Sequence, residues 1–134
     1  MAKLKWSYVK PLKEQDLISN FEKAHNLKIP KDLKQCIFIN NGGRPNLNVF
    51  DTAKTGERVF KTLLSFNEDD TENIYKIFPI FGNNTQLLPF ASDPSGNFIC
   101  VNLQTNNIVL WLHETNEKEL IASSFEEFLD KLYD

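Results

Sequence analysis

Much that would announce a function is missing from this chain of 134 residues. Its two cysteines, Cys36 and Cys100, lie in unrelated apolar contexts, with no C-x-x-C and no further Cys or His at ligand spacing. That argues against a metal site and predicts buried free thiols, in keeping with a reducing cytoplasm. No apolar run approaches the roughly 20 residues of a membrane span, and the lysine-bearing start "MAKLKWSYVK" has no apolar run behind it, so neither a membrane nor a secretory address is expected. Repeats, low-complexity tracts and Ser/Gly linkers are absent too. With 41% hydrophobic and 12% aromatic residues, one compact domain over residues 1–134 is predicted.

Basic charge is scarce in the second half. Residues 68–134 hold 3 Lys and Arg against 12 Asp and Glu, a net −9, whereas residues 1–67 hold 12 against 6, a net +6, for −3 overall. Such an acidic half argues against a nucleic-acid partner and would steer a basic protein instead.

What is present reads as an α+β domain. In "LKEQDLISNFEKAHNLKI" the spacing of Leu17, Ile18, Phe21 and Ala24 predicts an amphipathic helix over 13–25. Pro30 suits the first turn of a second helix, "IPKDLKQCIFIN", whose buried stripe is Leu33, Cys36 and Ile37. "NNGGRP" must stop it, because glycine readily takes positive φ and Pro45 pushes Arg44 out of the helical region. A phosphate-binding nest would lead into a helix N-terminus, and this segment leaves a C-terminus, so it reads as a cap. "LNVFD" and "RVFKTLLSF" read as strands joined by a turn in which Gly56 supplies flexibility. "NEDDTENIYKIF" reads as a short helix or turn. Two hairpins follow from "SDPSG", with Gly96 left-handed, and from "QTNN". Ser124 and Glu127 are spaced as a capping box before a short C-terminal helix. The predicted plan is an antiparallel sheet of about four to six strands, packed with two N-terminal helices and that last helix.

Candidate chemistry is thin. His25 lies near a helix C-terminus, where a capping or surface role suffices. His113 follows an alternating strand with no Ser or Cys elbow nearby, which makes structural hydrogen bonding the better reading and a small His113 hydrolase the weakest one. Glu68, Asp69, Asp70 and Glu72 are too alike for a tuned acid–base pair and lack the spacing of a calcium loop. A solvated loop or a partner contact remains for them.

Taken in order, "IPKDLKQCIFINNGG", "LPFASDPSGNFICVNL", "IVLWLHE" and "IASSFEEFLDKLY" resemble the helix-two signature, central hairpin, last strand and C-terminal helix of the SUKH superfamily. The matched positions are Asn41, Gly42 and Gly43 in the post-helix turn, Asp93 and Gly96 in the hairpin turn, and Trp111, His113, Ser124, Phe125, Phe128 and Leu129 in the scaffold. The resemblance implies a non-enzymatic domain with no cofactor and no metal. In bacteria it implies a cytoplasmic immunity protein that binds and neutralises a polymorphic, often nuclease, toxin; the fungal branch instead implies a housekeeping regulator of cell-wall synthesis or signalling. "QCIFIN" departs from the pattern where an aromatic near a Leu is usual, and residues 51–80 match little. For a basic toxin domain, the expected contacts are Glu68, Asp69, Asp70 and Glu72, followed by Glu114, Glu117 and Glu119.

Overall fold

A computed structural model describes residues 4–81 and 86–134. β1 (Trp6–Ser7) pairs antiparallel with β2 (Arg44–Pro45), which clips the start of the chain to the turn after the second helix. α1 runs Leu17–His25, four residues shorter at its start than the apolar spacing predicts. Lys13 accounts for the difference: its backbone N–H donates to Asn67 Oδ1 (2.9 Å) and its ammonium pairs with Asp69, so residues 13–16 turn instead of winding. Ile18 and Phe21 are buried as expected, but Ala24 faces solvent. Asn26 closes the helix at φ 52°, and the Leu27 N–H reaches back to the Glu22 carbonyl, the Schellman arrangement.

α2 (Lys31–Asn40) begins directly after Pro30, which stands at the N-cap and not inside the first turn. Leu33 and Ile37 point into the core while Cys36 is only half-buried, a departure from the expected stripe. Glu22 fastens the two helices together. Its carboxylate accepts the Ile29 N–H (2.8 Å) and pairs with Lys34 Nζ (2.7 Å).

After α2, Asn41 (φ −45°, ψ 128°) and Gly42 (φ +71°) form a type II turn closed by the Gly43 N–H on the Asn40 carbonyl at 2.8 Å. Only Gly42 is left-handed. Gly43 is glycine for a different reason: an added Cβ would stand 2.8 Å from the Asn40 carbonyl oxygen.

β3 (Val49–Phe50) pairs with β4 (Arg58–Val59), and β5 (Thr62–Leu63) leaves that ribbon for the main sheet, so the single strand expected over "RVFKTLLSF" is two. In the loop between β3 and β4 the left-handed residue is Glu57 (φ 55°), not Gly56. α3 (Ile74–Ile77) is capped by the Asn73 side chain, and a 3-10 turn covers Phe78–Phe81. The remaining strands are β6 (Leu87–Ser92), β7 (Phe98–Asn102), β8 (Ile108–Trp111) and β9 (Lys118–Ala122), and the sheet order is β5-β6-β7-β8-β9, antiparallel throughout. α4 (Phe125–Lys131) follows.

Alternation along the strands sorts side chains to two faces. Leu88, Phe90, Ile99, Val101, Ile108, Leu110 and Ile121 join the main core with the helices, and Leu87, Cys100 and Trp111 pack with Phe81 on the opposite face. At the centre of the main core Phe128 is fully buried, with Phe50, Phe60, Phe90 and Phe125 around it at ring separations of 5.5 to 6.4 Å. Burying each such ring contributes about 1.5 to 3 kcal/mol.

Each end of the sheet meets another backbone segment at one hydrogen bond. On the β5 side the Leu63 N–H donates to the Gly43 carbonyl (2.9 Å), and on the β9 side the Ala53 N–H donates to the Leu120 carbonyl (2.8 Å). No described helix is long and apolar enough to cross a membrane.

Candidate functional site

The type II turn that ends α2 also places Asn41 at a junction. Its Nδ2 donates to the Lys10 carbonyl (2.8 Å) and to Ser65 Oγ (2.9 Å), and its Oδ1 accepts the Phe66 N–H (2.9 Å). Ser65 Oγ in turn donates to Asp70 Oδ2 (2.6 Å) and accepts the Asn67 N–H (2.9 Å); Asn67 Nδ2 donates to the Pro11 carbonyl (3.0 Å) and to Asp70 Oδ2 (3.1 Å). This network, with Asn41, Ser65 and Asn67 buried, ties the N-terminal segment to the turn after α2 and to the segment that follows β5. Its members are scattered from residue 10 to residue 70, so no local motif signals it.

The hairpin-turn positions meet one another. Asp93 Oδ1 accepts the N–H groups of Ser95 (2.9 Å) and Asn97 (2.8 Å), and Gly96 is left-handed at φ +88°. His113 lies directly over this turn: its backbone N–H donates to Asn97 Oδ1 (3.1 Å) and its Nε2 stands 3.1 Å from the Ser95 carbonyl. A carbonyl only accepts, so Nε2 carries the proton and is occupied. Trp111 Nε1 donates to Asn116 Oδ1 (2.6 Å). Ser124 caps α4 by accepting the Glu127 N–H (3.1 Å), but Glu127 reaches back one residue further than a capping box requires, accepting the N–H (3.0 Å) and hydroxyl (3.1 Å) of Ser123. Those bonds from Ser123 hold the Glu127 carboxyl below its ordinary value. Phe125 and Phe128 are core residues.

The acidic segment is exposed at Glu68 and Asp69, as a solvated loop would be, but most of its carboxylates have partners. Asp69 pairs with Lys13, whose hydrogen bond lowers the Asp69 carboxyl and raises the ammonium. Asp70 is held by Ser65 and Asn67, and Glu72 accepts the Ser92 hydroxyl (3.0 Å) and pairs with Lys61 (3.2 Å). Glu68 has no side-chain partner among the described residues. Glu114 and Glu117 are exposed on the β8–β9 turn. Glu119 is 6% exposed, on the core-facing side of β9 with Ile121, and accepts hydrogen bonds from Thr52 and Thr55, each at 2.7 Å. Burial opposes its ionisation, but those two hydroxyls, with Arg58 and Lys54 nearby, outweigh it and hold the carboxyl below its ordinary value. Glu119 therefore presents no carboxylate to a partner of the folded chain, and the sequence expectation is corrected there. The period of two already pairs it with Ile121.

A surface missed in the sequence lies between α2 and α4. There a groove of about 400 Å³ has an apolar floor of Trp6, Cys36, Phe125 and Leu129 and a rim of Asp32, Glu126 and Asp130. Asp32 Oδ2 accepts the Glu126 N–H (3.2 Å), which spans the two helices. Burial pushes the Cys36 thiol up to about 11, so it lines the groove as a neutral, apolar group. Ile39, on the same helical stripe as Asp32, Gln35 and Cys36, is 69% exposed. That stripe was the available signal, hidden behind the stronger Leu33–Ile37 core face. Leu129, a scaffold position of the sequence pattern, serves both core and groove. Among the described residues, no cluster of His, Cys, Asp or Glu is placed to hold a metal ion.

The model of the SMI1 / KNR4 family (SUKH-1) matches residues 11–131. The SPbeta prophage-derived uncharacterized protein YokK of Bacillus subtilis (strain 168) is 40% identical over 52 residues, 36% of this chain and 27% of that protein. The matched segment thus spans about a quarter of the relative's length.

Proposed function

The chain belongs to the SMI1 / KNR4 (SUKH-1) family, and from that premise we propose that it is a non-enzymatic, cytoplasmic binding domain that acts as an immunity protein. Its partner is a polymorphic toxin domain of basic character, of the nuclease kind. The observation that carries this reading is how the signature polar groups are used. Asn41, Asp93, His113 and Ser124 all spend their side chains on bonds that hold turns, caps and junctions in place. None is poised beside a second group as nucleophile or base, which is the arrangement turnover would need. What the fold offers a partner is surface, and an apolar groove on that surface has an acidic rim. The prophage-derived relative fits a role in conflict between genetic elements better than a housekeeping one.

The test is protection. If a toxic domain is encoded beside this gene, cells expressing it should survive when the chain is co-expressed, and the purified chain should hydrolyse no ester, phosphoester or peptide. Absence of protection at matched expression would replace this reading with that of a regulatory interaction module. A hydrolytic activity abolished by His113→Ala would overturn the non-enzymatic assignment.

A further inference from the structure

The hollows of this surface differ in what they offer. One of about 440 Å³ beneath the end of α1 sets Glu22 against Lys23 and Lys28, so its lining carries both charge signs. Another of about 280 Å³ mixes Lys10 and Arg44 with Asp70 and Glu72, whose carboxylates are already engaged. Unlike these two, the α2–α4 groove joins an apolar floor to a rim on which the described residues carry only negative charge. No Lys or Arg among the described residues lines it. The carboxylates of Glu126 and Asp130 have no hydrogen-bond or ion-pair partner among the described residues, and Ile39 stands largely uncovered at its edge.

We infer that this groove is the docking site for a basic, apolar-anchored segment of the partner protein. One or two large aliphatic or aromatic side chains enter between Cys36, Ile39 and Leu129, while flanking Lys or Arg residues meet Glu126, Asp130 and Asp32. Coulomb attraction at the rim sets the encounter rate and rejects acidic segments, and the desolvated apolar contact sets the lifetime. Asp32 keeps its place at the rim because the backbone N–H groups of Leu33 (2.8 Å) and Glu126 hold it without neutralising its charge. The acidic loop at 68–72 is a poorer competitor, since Lys13 and Lys61 already balance two of its carboxylates. This assignment rests on the binding role proposed above and names the surface that performs it.

The test uses a short synthetic peptide with two leucines at helical spacing flanked by lysines. Its counterparts carry Ser for Leu or Glu for Lys. Titrated into the isotope-labelled full chain, the first peptide should move the amide signals of Gln35, Ile39, Glu126 and Leu129 saturably, and each counterpart should bind at least about tenfold more weakly. Glu126→Lys with Asp130→Lys should lower its affinity at least about fivefold, whereas Glu114→Lys with Glu117→Lys, an identical charge change on the β8–β9 turn, should lower it less than about twofold. Ile39→Asp should raise the off-rate. Shifts centred on residues 68–72 or 113–117, or equal losses in the two double reversals, would overturn the assignment. A chain that protects cells while its groove ignores the peptide refutes the groove and leaves the immunity role standing. One that takes the peptide in the groove but protects against nothing refutes the immunity role alone.

Discussion

Asn41 and Ser65, 24 residues apart, meet inside the protein with Asn41 Nδ2 donating to Ser65 Oγ at 2.9 Å. Because the same amide also bonds Lys10 and Phe66, Asn41→Ala strands several buried backbone and side-chain groups at once. The expected cost is about 2 to 4 kcal/mol, read from the urea midpoint. A variant within about half a kcal/mol of wild type would show that water can replace the amide there.

Gly42→Val forces a β-branched residue to φ +71° with its Cβ about 3.3 Å from the Lys10 side chain. It should destabilise by more than about 1 kcal/mol. Gly43→Val should also destabilise, through collision with the Asn40 carbonyl and not through backbone strain. If both variants unfold at the wild-type midpoint, the turn after α2 has a different geometry.

Truncating Phe128 to Ala removes the ring shared by Phe50, Phe60, Phe90 and Phe125 and should cost about 3 to 5 kcal/mol, with Phe125→Ala in the same range. Ile39→Ala, on a residue 69% exposed, is the contrast and should change stability by less than about half a kcal/mol. Thermal or urea unfolding of the three variants checks the order.

Glu119 makes folding depend on pH. Its folded carboxyl lies below the ordinary value, so the stability it contributes is fully present above the unfolded value, about 4.3, and is lost as pH falls through the lower folded one. Glu119→Gln should flatten the acid side of the stability profile, measured as urea midpoints between about pH 5 and pH 3. An unchanged slope would assign the acid sensitivity to other carboxylates.

The parts of the fold that were legible in the sequence are those decided within a few residues. Gly42 and Gly96 adopt the left-handed conformations that the "NNGG" and "SDPSG" stretches predict, and Ser124 caps α4 as its spacing says. Segments decided by distant partners were not legible. α1 starts late because Lys13 answers to Asn67 and Asp69, more than fifty residues away. "RVFKTLLSF" divides because Arg58–Val59 and Thr62–Leu63 find different sheets. The acidic loop is solvated at Glu68 and Asp69, but the partners of Glu72 are not legible because Lys61 and Ser92 are 31 residues apart in the sequence. The groove was hidden for a related reason: it exists only where one face of α2 and one face of α4 come together.

The backbone bonds at the two ends of the sheet restrict how another strand could add to it. Gly43 and Ala53 occupy backbone positions on β5 and β9 that an incoming strand would need. Extending the sheet with a foreign strand would require lifting the post-helix turn on one side or, on the other, the loop that Thr52 and Thr55 anchor to Glu119. Each such bond would have to break before a strand could add along the whole edge, which disfavours edge-to-edge self-association of the chain.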